Sequence, residues 1–386
     1  MTGDNPLQQD HGCWLGLPLE IFQSILSLGF GFYFANRDGF IRTRTSAMGV
    51  CRSWNDLIVT SGQFWACYSP NTDKLFHEVD LWSSRFGSSL TDFRISFDTD
   101  HLVRRGRTTV EDLASFVALH AHRMRSLYFD VEDDYFLPLV ASSLIRARAP
   151  HLRVLVFHRS ARFFTTRPRQ QFPPAFCSFD GIPDLRVLKL TDFSFTWRHP
   201  SLFFRLTTLV ISKLSPDMVP TPKGLRTALV SAPLLTLFSV RRVASRRGAE
   251  PLAPFVLPFL RELDLCFCGE QGIAAVLSVC HLPSLVVVSI AFQSPADLDM
   301  LLECPQILAV ARQFHGSGLL YSSSRKPELF GTLLSVNNVY IFDGGRALFE
   351  GLGFAGSDAS NSACPAMSSI TVSNISFREI HGFLTS

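Results

Sequence analysis

The stretch PFLRELDL, from Pro258 to Leu265, sets the pattern on which most of the chain is built. Its apolar residues Leu260, Leu263 and Leu265 stand three and two apart, with a proline in front and charged residues between. The closing interval of two is strand alternation, which turns every second side chain to one face of a sheet. The same phrase opens at Pro150 (PHLRVLVF), Pro183 (PDLRVLKL), Pro233 (PLLTLFSV), Pro283 (PSLVVVSI) and Pro365 (PAMSSITV). In so apolar a chain the 22 prolines would open roughly one such phrase by chance. Six are present, so the phrase is a repeat.

Copies without the proline fill the gaps: Leu90/Phe93/Ile95, Met124/Leu127/Phe129, Leu206/Leu209/Ile211 and Val336/Val339/Ile341. A degenerate copy counted from Pro305 puts Arg312 where the last apolar residue belongs. Neighbouring copies lie roughly twenty to just over thirty residues apart, and L-x-x-L-x-L at that period resembles the leucine-rich repeats. The resemblance implies an irregular α/β solenoid, with each phrase a short parallel strand on the concave face. Segments such as Gly272–Val279 and Ala296–Leu302 would form the convex side. A doubly wound α/β domain is the alternative. It would need a functional loop where its strand order reverses, and the sequence offers none.

A second pattern lies at the N-terminus. In AMGVCRSWNDLIVTSGQFW, Ala47 to Trp65, the residues Ala47, Val50, Cys51, Trp54, Leu57 and Ile58 recur at helical spacing and predict one amphipathic helix. Upstream, LPLEIFQSIL predicts another, with Pro18 in its first turn, Glu20 at the positive helix end and Ile21, Phe22, Ile25 and Leu26 as its stripe. Between them GFGFYFANRDGFIRTRT carries glycines and aromatics and does not read as a clean helix. Two short helices with so much apolar surface cannot bury it by themselves.

The order Leu17-Pro18, Glu20-Ile21, Ile25-Leu26, Val50-Cys51-Arg52-Ser53-Trp54, then Trp65, resembles an F-box, in particular the divergent F-box-like domains common in fungi. The most specific part is V-C-R-x-W after an L-P-x-E-I helix, and the intervening segment is longer than the family pattern. The resemblance covers residues 14–68. It implies a substrate-recognition subunit of a Skp–cullin–F-box ubiquitin ligase, whose partners are a Skp-type adaptor, a cullin scaffold and an unknown target protein. Leu17, Pro18, Ile21, Ile25, Leu26, Val50, Cys51, Trp54 and Trp65 would contact the adaptor or form the core beneath that contact. An ordinary helical hairpin capping the repeats is the simpler alternative. The expected organisation is a disordered tail over 1–13, the helical module over 14–68, a linker or cap over 69–84 and the solenoid over 85–386.

Composition narrows the remaining classes. With 386 residues, 47% of them hydrophobic and 35 of them Phe, the chain can fill a large core. A formal net charge of +3 gives no warrant for a nucleic-acid partner. The segment MTGDNPLQQDHG lacks the basic start of an export signal. Ile21–Ala35 is interrupted by polar residues and too short to cross a membrane. The nine cysteines follow no regular framework and are expected to be reduced thiols in the cytoplasm or nucleus. Cys280, Cys304 and Cys364 stand just before strand phrases, and Cys268 sits at a repeat corner, where small thiols suit tight packing.

No constellation supports catalysis, a metal or a cofactor. Cys266, Cys268, Cys280 and His281 match no standard zinc spacing. Gly351 to Gly356 spells G-x-G-x-x-G but follows a helical stretch instead of leaving a strand. Gly316-Ser317-Gly318 lacks the frame of a nucleophile elbow. Asp133-Asp134, Asp297/Asp299 and His120/His122 pair only locally. The basic clusters from Arg146 to Arg169 and from Arg241 to Arg247 read as solvated loops. Strand alternation instead assigns an outward surface to Arg94, Tyr128, Asp130, His158, Lys189, Arg241, Glu262, Asp264 and Tyr340, residue types suited to a protein target. Without the ligase link, the chain would be a repeat-based interaction scaffold.

Overall fold

Among the described residues the chain opens with short helices and continues as short strands at repeat spacing with helices between some of them. The computed structural model describes residues 37–61, 67–68, 90–97, 108–131, 147–159, 184–192, 202–214, 219–243, 251–266, 271–292, 295–317, 335–342 and 368–373, with isolated positions between 21 and 28 and at 64, 143, 329 and 332–333. These fall in two units, Met1–Phe93 and Arg94–Ser386. The expected 1–13 tail and 69–84 linker lie outside the described residues.

In the first unit Ile21, Ser24, Ile25, Leu26 and Leu28 are helical. Helix α1 runs Arg37–Met48 and α2 Arg52–Thr60. The single helix expected through Ala47–Ile58 is therefore two. Gly49 closes α1, its N–H donating to the Thr45 and Ser46 carbonyls at 3.2 and 3.1 Å. Cys51, extended at φ −160° and ψ 170°, starts α2. Apolar residues three and four apart continue across such a break, because a short turn between helices can preserve the same spacing. The segment that read as no clean helix holds most of α1, whose sequence RDGFIRTRTSAM is rich in polar residues and offers no apolar stripe to betray it. Ala47, Leu57 and Ile58 are buried where α1 meets α2. Strand β1 (Cys67–Tyr68) pairs in parallel with β2 (Thr91–Phe97), Cys67 opposite Asp92.

In the second unit α3 (Thr108–His120) and one 3-10 turn (Ala121–Arg123) lead into β3 (Met124–Val131). There follow β4 (Val154–Arg159), β5 (Val187–Thr191), β6 (Thr208–Ser212), α4 (Pro222–Val230), β7 (Leu237–Arg241), β8 (Phe255–Val256) and β9 (Glu262–Cys266). The chain continues through α5 (Gln271–Ser278), β10 (Cys280–His281), β11 (Val287–Ala291), α6 (Pro295–Leu302), α7 (Pro305–Val310), β12 (Gln313–Ser317), β13 (Asn338–Phe342) and β14 (Ser369–Ser373). From β3 to β14 the sheet keeps chain order, passing only β8 and β10, which pair with each other. Every neighbouring pair along it is parallel. A doubly wound sheet must reverse its order; this one does not. The unit is an irregular α/β leucine-rich-repeat solenoid, as the repeated phrase predicts.

The register explains the phrase. Leu127, Leu155, Leu188, Leu209, Phe238 and Leu263 stand opposite one another on successive strands, and all are buried. Two residues on, Phe129, Phe157, Leu190, Ile211, Val240 and Leu265 form a second buried row. The leading leucines, such as Leu152, Leu185 and Leu260, are buried as well. Each such side chain contributes about 1.5–3 kcal/mol when removed from water, so the three positions of the phrase are its energetic content. Phe129 and Phe157 meet edge to face with ring centres 6.2 Å apart.

The connections follow local rules. Thr221 caps α4, its Oγ1 accepting from the Gly224 N–H at 3.1 Å, with Pro222 in the first turn. Helices α5 and α6 stand within a residue of the expected Gly272–Val279 and Ala296–Leu302. The copy counted from Pro305 is misregistered: Pro305 opens α7, and the true phrase there is Ala311, Phe314 and Gly316. Asp192, Lys213 and Arg242, each just past the end of β5, β6 and β7, adopt left-handed φ of 53°, 54° and 52°. Their N–H groups extend the ladder to the next strand's carbonyls at Ser212, Arg241 and Cys266. Among the described residues no helix is long and apolar enough to cross a membrane.

Candidate protein-interaction surfaces

With two rows buried along the main-sheet strands from β3 to β13, the alternate rows form an open face. All eight residues assigned to it from β3 onward lie there: Tyr128, Lys189, Asp264 and Tyr340 in one register row, Asp130, His158 and Arg241 in the next, and Glu262 in the row before. Arg94 is half-buried on β2. Register brings some of these together and separates others. Asp130 and His158, on adjacent strands, meet at 3.0 Å between Oδ1 and Nδ1. Arg241 Nε donates to Asp264 Oδ2 at 2.8 Å, and Ser239 Oγ donates to the same oxygen at 3.0 Å. Lys189 is exposed. Tyr340 packs against His315 with ring centres 4.7 Å apart.

Two neighbouring pairs on this face, Asp130 with His158 and Asp264 with Arg241, thus answer each other. Exposed pairs of this kind are worth about 0–1 kcal/mol, so they shape the surface more than they stabilise it. Alternation arguments centred on charge also passed over an apolar element. Val154, Val156, Val187, Val210 and Leu237 occupy outward rows of β4 to β7, half-buried around Lys189. Their signal was present in the phrases themselves, as the residues between the leucines.

In the N-terminal unit, Ile21, Ile25 and Leu28 are 48%, 46% and 69% exposed, while Leu26 is buried. Positions i, i+4 and i+7 share one helix face, so these three make a single apolar stripe open to solvent. Val50 is exposed in the turn after α1 and Cys51 at the start of α2, and Trp54 is half-buried on α2. Val50 and Cys51 are therefore turn and cap residues, not members of a helical stripe with Trp54. Leu17, Pro18 and Trp65 lie outside the described residues.

Several of the candidates for chemistry fall within the described residues. Gly316 and Ser317 belong to β12. Cys266 ends β9 while Cys280 is buried in β10. Burial pushes the Cys280 thiol up to about 12, and burial with the nearby Asp264 carboxylate pushes Cys266 to about 11. Cys304 is buried and raised to about 11, its Sγ donating to the Ala274 carbonyl at 3.5 Å. Such thiols stay protonated at neutral pH and pack as small apolar groups. His120 is buried at the end of α3 while His122 is exposed, so the two do not converge. Asp297 is buried in the first turn of α6. Among the described residues no three His, Cys, Asp or Glu are grouped to hold a metal ion. Asp133-Asp134, Cys268, Cys364, the glycines at 351–356 and residues 160–169 of the first basic cluster lie outside the described residues.

No protein-family model and no curated protein matches the sequence. Among solved structures the chain is similar to the leucine-rich repeat-containing protein LegL7 from Legionella pneumophila, at 13% sequence identity and a TM-score of 0.36, over 69% of this chain and 87% of that chain.

Proposed function

We propose that the chain is a non-catalytic, repeat-based protein-interaction scaffold serving as the substrate-recognition subunit of a Skp–cullin–F-box ubiquitin ligase. The observation that carries the adaptor half is the solvent-open stripe of Ile21, Ile25 and Leu28. An apolar helix face of this kind docks in a groove of a partner protein, and each side chain it buries contributes about 1.5–3 kcal/mol. The open face of the solenoid, with its valines, Lys189, Tyr128 and Tyr340, supports the target-holding half. Catalysis in such an assembly belongs to other subunits. This chain contributes effective concentration, by converting a bimolecular encounter between target and ubiquitin-loading enzyme into a tethered one.

The test is calorimetric titration of the full-length chain with a recombinant Skp-type adaptor. Wild type should bind, and Ile21→Glu with Ile25→Glu should weaken binding at least tenfold while the circular dichroism spectrum stays the same. If the wild-type chain does not bind the adaptor, the ligase role is wrong and a scaffold without ubiquitin function remains.

A further inference from the structure

The residue between the leading leucine and the strand repeats as regularly as the leucines do. Backbone hydrogen bonds link these positions from coil to coil: Arg153 to Arg125, Arg186 to Arg153, Thr207 to Arg186, Thr236 to Thr207 and Arg261 to Thr236, all at 2.8–2.9 Å. The series continues through Val286 to Arg312. One rim of the sheet, at the N-terminal ends of its strands, is therefore studded with arginine. Arg153, Arg186, Arg261 and Arg312 are exposed, and among the described residues none of these four has an ion-pair partner.

Between Arg186 and Arg261 the rim opens into a groove of about 560 Å³. Thr207, Thr208 and Thr236 line it, the Thr207 and Thr236 hydroxyls donating to the Arg186 and Thr207 carbonyls at 3.2 and 2.9 Å, and the exposed side chains of Leu234 and Phe259 stand in it. Glu262 contributes one carboxylate. Three ladder steps separate β5 from β9, which at strand spacing places the two arginine backbones about 14 Å apart. That is the span of four residues of extended chain at about 3.3 Å each.

We propose that this rim groove binds an extended peptide segment bearing two acidic side chains four residues apart with an apolar residue midway. In an extended chain residues i, i+2 and i+4 face the same way, so the acids meet Arg186 and Arg261 while the apolar side chain meets Leu234 and Phe259. Guanidinium forks suit carboxylate and phosphoryl oxygens alike, so aspartate, glutamate or a phosphorylated residue satisfies the same positions. A nucleic-acid strand fits less well. The groove offers one exposed aromatic ring, Phe259, where a single strand would stack successive bases. The groove borders the open face of the sheet and shares Leu237 and Glu262 with its first row. It requires a solenoid that binds proteins, but not the ubiquitin link.

Fluorescence anisotropy with the full-length chain tests it, using a labelled peptide with the core Glu-Ser-Leu-Ser-Glu. The comparison probes carry phosphoserine or lysine in place of both glutamates, and a thymidine 12-mer represents single-stranded DNA. The glutamate or phosphoserine peptide should bind, and Arg186→Glu with Arg261→Glu should weaken it at least tenfold; Arg186→Lys with Arg261→Lys should keep most of the affinity. Whichever acidic peptide binds tighter identifies the source of the charge. Both variant sites are exposed, and an unchanged circular dichroism spectrum together with an unchanged urea midpoint would confirm an intact chain. Equal binding of the lysine peptide, indifference to the charge reversal, or binding of the oligonucleotide alone would overturn the proposal. None of these outcomes depends on whether the adaptor binds.

Discussion

His120 is the residue whose environment most directly sets a pH response. It ends α3 with 5% of its surface exposed, its ring 4.6 Å from that of Phe116. Burial first, then the charges of Arg123 and His122, lower its pKa from 6.5 to about 4. The unfolded chain therefore binds a proton that the folded chain refuses in the interval between about 4 and 6.5. Stability is fully present above the upper limit and falls as the pH drops toward the lower one. The loss attributable to this ring is on the order of 1–2 kcal/mol, since water reaches part of it. Urea midpoints for wild type and His120→Leu at pH 7 and pH 4.5 should show the smaller loss in the variant; an equal loss would remove His120 as the cause.

At the scale of the element, the strand ends are the informative places. Lys213 sits at φ 54° just after β6, exposed, where its Cβ crowds the following carbonyl. Lys213→Gly relieves that crowding at the expense of a floppier unfolded chain, for a net gain of up to about 1 kcal/mol. Lys213→Val adds branching at the same φ and should lose about 1 kcal/mol or more. Urea midpoints moving in opposite directions for the two variants would bear this out, and movement in the same direction would contradict it. The strands were legible in the sequence because burial at Leu260, Leu263 and Leu265 recurs in coil after coil, and repetition averages away accidents of composition. The helices around Gly49 were less so. Spacing across Ala47, Val50 and Trp54 is the same for one helix or two, and only the hydrogen bonds of Gly49 decide. Pro305 misled for a related reason: proline precedes a strand phrase in six places but starts a helix there. The arginine rim was written in the same phrases, at Arg153, Arg186 and Arg261, and went unread because attention to alternation begins one residue later. The outward valines of β4 to β7 were missed because apolar residues were expected only in the core.

For the whole molecule, a sheet in chain order means that each coil of the second unit leans only on its neighbours. Stability in such an array is a sum of coil and junction contributions. Leu209→Ala on β6 opens a cavity in a fully buried row and should lose about 2–5 kcal/mol. Val210→Ala, one residue on and facing outward, should lose about 1 kcal/mol or less. Hydrogen exchange should show the Leu209 defect most strongly in β5, β6 and β7, fading toward β3 and β13. Uniform loss of protection from end to end would instead mark a single cooperative block.

The small ladder of β8 and β10 bears on how this array flexes. Phe255 and Leu257 donate to the Val279 and His281 carbonyls at 3.1 and 3.0 Å, while β9 and β11 are already joined in the main sheet. Two consecutive coils are thus seamed along two separate lines instead of one. A spring riveted at one turn bends elsewhere, so an adjustment that the solenoid makes around a guest falls on the junctions that, among the described residues, are seamed by the main sheet alone.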